Sequence, residues 1–259
     1  MKMHRRSFLR IGGVCALGLG FLPAVKVLAG SGQSRVADDP NALTGNRWAM
    51  VVDMKKCWEA GKRDCADCIA ACHQTHNVPD IGNIKDEIKW IWQEPFDNTF
   101  PDLKHEYMAE GIKRRSFIVM CNHCDNAPCT RVCPTGATFK RRDGIVVMDY
   151  HRCIGCRYCM AGCPYGARSF NFRDPRPFIA EINKKYPTRE KGVVEKCSFC
   201  EDRLAFGQLP ACVEACEEKA LIFGDLADPN SEVRKILRSG YSIRRKPDLG
   251  TEPKIYYLV

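Results

Sequence analysis

Cysteine spacing constrains this 259-residue chain more than any other feature, because sixteen of its seventeen cysteines fall into four groups of four. The groups are Cys57, Cys65, Cys68 and Cys72; Cys121, Cys124, Cys129 and Cys133; Cys153, Cys156, Cys159 and Cys163; and Cys197, Cys200, Cys212 and Cys216. The third group reads C-x2-C-x2-C-x3-C-P, the spacing with which bacterial ferredoxins hold cubane iron–sulfur clusters. Four such groups predict four [4Fe–4S] clusters on one chain, an arrangement suited to carrying electrons.

The spacing within a group matches the corners of a cubane. Short C-x2-C steps let one loop reach three irons, and the fourth cysteine then reaches the neighbouring cluster of a pair. Pro134 and Pro164 directly follow the last cysteines of the second and third groups. There they fix φ and remove an amide donor where the chain leaves the cluster. The first and fourth groups have His73 and Glu217 at the corresponding positions.

Cross-ligation of this kind predicts four sets of cluster ligands, each mixing two groups. Set one is Cys57, Cys65, Cys68 and Cys216, and set two is Cys72, Cys197, Cys200 and Cys212. Set three is Cys121, Cys124, Cys129 and Cys163, and set four is Cys133, Cys153, Cys156 and Cys159. The second and third groups thereby form an inner pair, and the first and fourth groups form an outer pair.

Other cofactors fit this pattern less well. Zinc sites join two C-x2-C elements across a longer spacer, and a c-type haem requires C-x-x-C-H, which the stretch from Cys68 to His73 exceeds by one residue. Because sixteen thiolates fill the sixteen corners of four cubanes, we expect four histidines to be neighbours of clusters or solvated, not ligands: His73, His76, His123 and His151. The sequence contains no nucleophile–base pair, phosphate loop or substrate-pocket signature. The chain is therefore predicted to carry electrons without transforming a substrate by itself.

The first thirty residues read as an export signal. The paired arginines Arg5-Arg6 precede an apolar stretch over 11–25 and a small-residue exit at Val27-Leu28-Ala29. This pattern predicts a twin-arginine signal peptide over 1–30. An uncleaved membrane anchor is the alternative, which the glycines, proline and lysine of the segment disfavour. The twin-arginine route moves folded proteins, so clusters can be inserted in a reducing compartment before export, and the predicted location is periplasmic.

The formal charge of +9 overstates how basic the mature protein is. The first thirty residues hold five basic residues and no acidic ones, which leaves 35 basic against 31 acidic residues, or +4. Each oxidised four-thiolate cubane adds about −2. The mature holoprotein is thus predicted to be neutral to acidic, and its composition gives no reason to expect nucleic-acid binding.

The predicted fold class is α+β, with tandem ferredoxin-like domains that each bind two [4Fe–4S] clusters and carry loop and helix insertions. The signal peptide over 1–30 precedes four segments. Residues 31–120 contain the first cluster motif and an insertion, and they form an outer ferredoxin half that residues 190–224 complete. Residues 121–172 form the inner two-cluster ferredoxin domain, 173–224 contain a connection and the fourth cluster motif, and 225–259 form a C-terminal docking tail. Strands are expected at 48–53, 116–120, 167–172 and 220–223, the last pairing with the first. A hairpin should join 137–139 to 145–148.

Two further features allow alternative interpretations. An aromatic cluster, Trp90, Trp92, Phe96 and Phe100, lies in the long insertion over 73–114. Packing of the insertion onto its neighbour is favoured over a quinone or partner surface. The charged segment over 225–259 carries Arg244-Arg245-Lys246. A solvated face is the simpler interpretation of this segment, and a strap that docks on a partner subunit is the alternative.

The inner pair of motifs also resembles a known family. The stretch from Cys121 through Cys133-Pro134-Thr135-Gly136 to Cys163-Pro164-Tyr165-Gly166 is similar to the iron–sulfur electron-transfer subunits of membrane respiratory complexes. These include the beta subunits of polysulfide reductase and formate dehydrogenase, and the NrfC-type proteins. Other stretches resemble the DsrO-like branch, the periplasmic ferredoxin-like subunits of DsrMKJOP complexes of sulfate reducers: 47–51, 89–92, 173–178, 191–197 and 243–247.

The resemblance implies a set of partners and a setting. They are an NrfD-like integral membrane quinone-interacting subunit (DsrP-like), a multihaem cytochrome c (DsrJ-like) and the other DsrMKJOP subunits, with four clusters relaying electrons between haem and quinone in sulfate and sulfite metabolism. One alternative is the electron-transfer subunit of a molybdopterin oxidoreductase or an NrfC-type nitrite reductase system. Another is a free soluble ferredoxin-like shuttle, against which the long insertion and the charged C-terminal segment argue.

Overall fold

The structure, a computed structural model, describes residues 39–59 and 65–259. The strands are β1 (Trp48–Asp53), β2 (Ile91–Pro95), β3 (Ser116–Met120), β4 (Thr138–Lys140), β5 (Val146–Met148), β6 (Ser169–Phe170), β7 (Val194–Glu195), β8 (Leu221–Asp225), β9 (Ser242–Ile243) and β10 (Ile255–Leu258). The α-helices are α1 (Met54–Glu59), α2 (Asp67–Thr75), α3 (Phe96–Thr99), α4 (Glu110–Lys113), α5 (Pro128–Arg131), α6 (Tyr158–Ala161), α7 (Glu201–Leu204), α8 (Ala211–Glu214) and α9 (Glu232–Ser239). Short 3-10 turns occupy Pro101–Leu103, Arg176–Phe178 and Pro247–Leu249. The predicted export signal lies outside the described residues.

A four-stranded sheet in the order β8-β1-β10-β9 has β1 in its interior. β1 pairs antiparallel with β8 and parallel with β10. Because side chains alternate along a strand, both faces of β1 are used. Met50 and Val52 face the main core, which also contains the cysteine groups, while Ala49 and Val51 pack with Val233 of α9. A strand buried on both faces fixes the register of the whole sheet.

Several predicted strands are confirmed. β1 and β3 have the expected bounds, and β8 pairs with β1 as expected. The hairpin is formed by β4 and β5, with Thr138 opposite Met148 and Gly144 in the left-handed region at φ 82°. The strand expected over 167–172 is shorter, because only the two residues of β6 pair with β7. β7 lies just before the fourth cysteine group.

The segment over 225–259, predicted as a C-terminal docking tail, contributes a strand to the core, and docking onto a partner stays a prediction. β10 lies between β1 and β9, and Ile255 and Tyr257 are fully buried. The Tyr257 hydroxyl donates to the Ile118 carbonyl at 3.1 Å. Arg245, expected in a solvated basic run, is buried and donates through Nε to the Thr99 carbonyl at 3.2 Å. The alternating apolar residues at the end of the chain provide a core strand, which outweighs the charge that precedes them.

The aromatic cluster of the insertion packs inward, which confirms the favoured interpretation. Its four rings are each less than a tenth exposed, and β2 pairs with β3 directly before the second cysteine group. Phe100 meets Phe117 and Tyr257 edge-on, with centroids 5.1 and 5.2 Å apart. The insertion is therefore part of the core that supports the cysteine loops.

Residues Asp39–Val259 form one compact unit. Within the described part of this unit, no helix has both the length and the apolar character needed to cross a membrane.

Candidate metal centres

The structure brings cysteines of different groups together around common cavities. One cavity is lined by Cys57, Cys65, Cys68 and Cys216. A second is lined by Cys72, Cys197, Cys200 and Cys212. A third is lined by Cys133, Cys153, Cys156 and Cys159. Each cavity thus combines three cysteines of one group with a single cysteine of another, as in sets one, two and four.

The remaining four cysteines interact electrostatically with each other. Burial, followed by the nearby Cys121 sulfur, raises the pKa of Cys124 to about 12, and Cys163 and Cys129 contribute in the same direction. Cys121 likewise raises the pKa of Cys163, after burial itself. Cys163 of the third group therefore lies with three cysteines of the second group, the composition of set three.

Helix packing explains how distant cysteine groups meet. In the outer pair, α2 carries Cys68 and Cys72, four residues apart on its buried side, and packs against α8, which carries Cys212. In the inner pair, α5 carries Cys129 and packs against α6, which carries Cys159. The same arrangement of two facing helices thus occurs twice, once for each pair of groups.

Left-handed residues shape the loops between the helices. His123, Arg157, Phe199 and Cys200 all have positive φ, between 42° and 61°. Such conformations are costly for residues other than glycine and are retained where the surroundings require them. At one of these turns the N–H of Phe199, which is itself in the left-handed region, donates to Cys197 Sγ at 3.4 Å. A second amide, the Ala211 N–H at the start of α8, donates to Cys200 Sγ at 3.4 Å.

The electrostatics of these cysteines match a cationic, multi-iron group. Burial and the neighbouring sulfurs raise the pKa of Cys57 to about 11 and that of Cys68 to about 12. Thiolates are stable in such surroundings only with positive charge among them, which an iron–sulfur core provides. Thiolates bound to one zinc ion would lie within about 4 Å of each other. Among the described residues, no three histidine, cysteine, aspartate or glutamate side chains converge in this way on a single ion.

Electrostatic interactions between sulfurs of different sets show which sets are neighbours. Besides burial, Cys68 of set one raises the pKa of both Cys72 and Cys212 of set two. Cys121 of set three raises that of Cys197 of set two. Cys129 of set three raises that of Cys159 of set four. The order along the line is therefore one, two, three, four.

The two ends of this line are more exposed than its middle. All four cysteines of set two are buried, and so are three of set three. In set one, Cys57, Cys65 and Cys216 are partly exposed, and in set four Cys156 is exposed. Sets one and four are thus the most accessible from solvent.

Several residues beside the sulfurs shape their surroundings. His76 stacks on Trp90 with ring centroids 4.8 Å apart, and its Nδ1 lies 3.8 Å from Cys72 Sγ. His123 stacks on Phe199, and its Nδ1 accepts the Val146 N–H at 3.1 Å. His73 lies next to Cys72, and burial lowers its pKa. His151 is exposed.

Arg168 is the neighbour that sequence reasoning missed. It is buried, and its Nη2 donates to Cys129 Sγ at 3.0 Å. A signal was present in the sequence, because Arg168 is the only charged residue between Cys163 and Phe172.

Comparison with known proteins gives the family. The 4Fe–4S dicluster domain family matches residues 114–175 and 180–226. The Hdr-like menaquinol oxidoreductase iron-sulfur subunit 1 of Archaeoglobus fulgidus is 39% identical over 274 residues, which cover 98% of this chain and 97% of that protein. The chain belongs to the family of 4Fe–4S electron-transfer subunits. Protein NrfC of Escherichia coli is 39% identical across 99% of this chain and 95% of its own length. The arsenate respiratory reductase iron-sulfur subunit ArrB of Shewanella sp. is 35% identical across 82% of this chain and 96% of its own length.

Membership of this family confirms the coarser expectations from the sequence. The cofactors of the chain are [4Fe–4S] clusters, its fold is of the ferredoxin-like iron–sulfur type, and it is an electron-transfer subunit of an oxidoreductase.

Proposed function

We propose that this chain holds four [4Fe–4S] clusters, one in each of sets one to four, and relays electrons along them within a membrane-bound respiratory complex. The observation that carries the proposal is the linear order of the four sulfur sets, with a buried middle and exposed ends. A chain of clusters with two accessible ends suits transfer between two partners. Each cluster supplies one-electron reduction and oxidation, and the protein sets its position and surroundings.

The proposed partners are a quinone-interacting integral membrane subunit of the NrfD-like (DsrP-like) kind and a periplasmic multihaem cytochrome c of the DsrJ-like kind. The setting is a DsrMKJOP-type complex of dissimilatory sulfate and sulfite metabolism. Full-length similarity to an iron–sulfur subunit of a menaquinol oxidoreductase supports a quinone-linked role.

A second candidate is the electron-transfer subunit of an NrfC-type nitrite reductase system or of a molybdopterin oxidoreductase. Equal identity to protein NrfC, over almost all of both chains, favours it. Similarity to the iron–sulfur subunit of an arsenate respiratory reductase supports the same candidate.

Purification of the native complex separates these candidates. An affinity tag after Val259 is suitable, because this residue is exposed and the predicted signal peptide over 1–30 stays untagged. The complex is isolated anaerobically from membranes, and iron, haem c and molybdenum are measured per chain. Near-stoichiometric molybdenum supports the molybdopterin alternative, and haem c without molybdenum excludes it. The co-purifying subunits, identified by mass spectrometry, then distinguish the DsrMKJOP-type complex from the NrfC-type system. A stable monomer without membrane partners contradicts both.

The cluster count and the ligand sets have their own test. The purified chain should contain about sixteen irons in addition to those of its partners. Cys72 belongs to the first group by its spacing and to set two in the proposed ligation, so Cys72→Ser should alter the same cluster signal in electron paramagnetic resonance as Cys212→Ser. If Cys72→Ser instead alters the signal that Cys65→Ser alters, ligation follows the sequence groups and the proposed sets are wrong.

We also propose export by the twin-arginine pathway to the periplasmic face of the membrane. The support is the motif Arg5-Arg6 ahead of an apolar stretch. The double substitution Arg5→Lys with Arg6→Lys keeps the charge and should retain the chain in the cytoplasm, as measured by cell fractionation. Unchanged export of this variant would contradict the proposed route.

A further inference from the structure

Arg168 places a permanent positive charge between two of the sulfur sets. Arg168 is 5% exposed, and in the sequence it follows the cysteine loop that ends at Cys163. Nη2 donates to Cys129 Sγ of set three at 3.0 Å. Nη1 contacts Met148 Sδ at 3.1 Å, and Met148 lines the cavity of set four, so the guanidinium lies between sets three and four. Because arginine does not lose its proton in proteins, this charge is fixed at every physiological pH.

The hairpin of β4 and β5 holds the guanidinium in place. Nη2 also donates to Thr138 Oγ1 at 2.7 Å, and Nη1 donates to Met148 Sδ at 3.1 Å. Thr138 is itself fixed, since its hydroxyl donates to the Val147 carbonyl at 3.1 Å. The arginine is therefore oriented by a built contact set and is not free to reach solvent.

Among the side chains that the structure describes, in residues 39–58 and 65–259, no carboxylate lies within ion-pair distance of the Arg168 guanidinium. Arg189, which is also buried, instead pairs with a carboxylate, with Nε 2.7 Å from Glu195 Oε2. An uncompensated buried cation is costly unless negative charge lies nearby. For Arg168 the nearby negative charge is that of the cysteine sulfurs.

We propose that Arg168 is a positioning residue that raises the reduction potential of the set-three cluster, and to a smaller extent that of the set-four cluster. This inference rests on the proposed function, in which sets three and four each hold a cluster. Reduction passes one electron from a neighbouring cluster to this one and adds one negative charge, with no proton transferred. A fixed cation beside the sulfurs stabilises that added charge, and a hydrogen bond to sulfur acts in the same direction. Set three receives both effects, and set four receives the charge alone.

The consequence concerns the distribution of electrons along the line of clusters. Within the inner pair, Arg168 favours electrons on the set-three cluster, next to set two. The inner pair is thereby made a better acceptor for electrons from the outer pair.

The test is a redox titration of the purified holoprotein followed by electron paramagnetic resonance. Signals are assigned with Cys124→Ser for set three and Cys159→Ser for set four. Arg168→Met removes the charge and the hydrogen bond while keeping a side chain of similar length. At fixed applied potential, the reduced-to-oxidised ratio of the set-three cluster should fall at least about tenfold, which is about 59 mV for a one-electron couple. The ratio for set four should fall less, and those for sets one and two should stay unchanged.

Two further variants make the outcome specific. Arg176→Met is the matched control, because Arg176 is exposed and paired with Asp174, and all four potentials should stay as in the unsubstituted chain. Arg168→Lys keeps the charge but lacks the planar fork that contacts both Thr138 and Cys129. It should lower the set-three potential less than Arg168→Met does and leave set four unchanged. If Arg168→Met loses iron, this lysine variant provides the measurement.

Each result distinguishes this inference from the function on which it rests. Full iron content with no shift at set three, or an equal shift of all four clusters, overturns the role of Arg168. Fewer than four titrating clusters in the unsubstituted chain overturns the proposed cluster count instead.

Discussion

The buried ion pair of Arg189 and Glu195 gives a quantitative test of how the structure holds the cysteine loops. The two side chains are 1% and 0% exposed, with Nε 2.7 Å from Oε2. The Trp90 indole N–H donates to the same carboxylate at 3.0 Å, and Asn171 Nδ2 donates to its other oxygen. Arg189 also donates through Nη2 to the Asn77 carbonyl at 2.8 Å. One network thus joins four segments that surround the cysteine groups.

Arg189→Met should be strongly destabilising. It leaves the Glu195 carboxylate buried without its cation and removes the donor to the Asn77 carbonyl. Removing one partner of a buried pair costs about 3–5 kcal/mol. If the network is absent from the transition state for unfolding, unfolding accelerates at least about a hundredfold, since about 1.4 kcal/mol corresponds to tenfold in rate. Adding Glu195→Gln removes the unpaired charge and should recover part of the loss.

The assay is anaerobic unfolding in guanidinium, followed by visible cluster absorbance and by far-ultraviolet circular dichroism. Rates are compared because unfolding with loss of a cofactor is irreversible. Arg176→Met serves as the control, since its pair with Asp174 is exposed and exposed pairs contribute little to stability. Acceleration by Arg189→Met of less than about threefold, or a double variant that loses the sum of both single effects, would refute the reasoning.

Three further predictions concern the cysteine loops. Gly155→Ala should shorten the half-life of the clusters, because Gly155 has φ 69° and an added Cβ would overlap the Gly192 carbonyl. Gly136→Ala is the control, because Gly136 has φ 64° but open space around it, and it should have the smaller effect. Equal effects of the two substitutions would contradict the steric reason. Cys156→Ser should lower iron by about four atoms per chain while the chain stays folded, and an unchanged iron content would exclude this exposed cysteine as a ligand. Burial raises the pKa of Cys68 to about 12, so iron must displace a proton, and reconstitution with iron and sulfide should become tighter from pH 7 to pH 8.5; a flat or inverted dependence would contradict this.

Local patterns in the sequence were sufficient for the cofactor class and for several strands. The spacing of Cys153, Cys156, Cys159 and Cys163 specifies a cubane, because a loop of this length fixes where its sulfurs can reach. β1 and the hairpin of β4 and β5 were predictable because alternation and turn residues act over a few positions. The proposed sets also came from a local rule, in which the fourth cysteine of a motif leaves for the other cluster.

Long-range packing decided the features that the sequence left open or misrepresented. β10 reads as the end of a charged segment, yet it pairs with β1 some 200 residues earlier, because burying Ile255 and Tyr257 completes the core. From the sequence, Arg245 is expected in solvent, and only the fold buries it and brings the distant Thr99 carbonyl to its guanidinium.

Arg168 shows the same division most clearly. The cysteine motifs determine the ligand atoms, because the spacing of the thiolates alone specifies the type of cluster. The charge beside Cys129 exists only after the loop ending at Cys163 folds against β4 and β5. Reduction potential depends on surrounding charge, burial and hydrogen bonds. The cysteine motifs therefore determine that clusters are bound, and the tertiary structure decides which charge lies beside them, on which the proposed distribution of electrons depends.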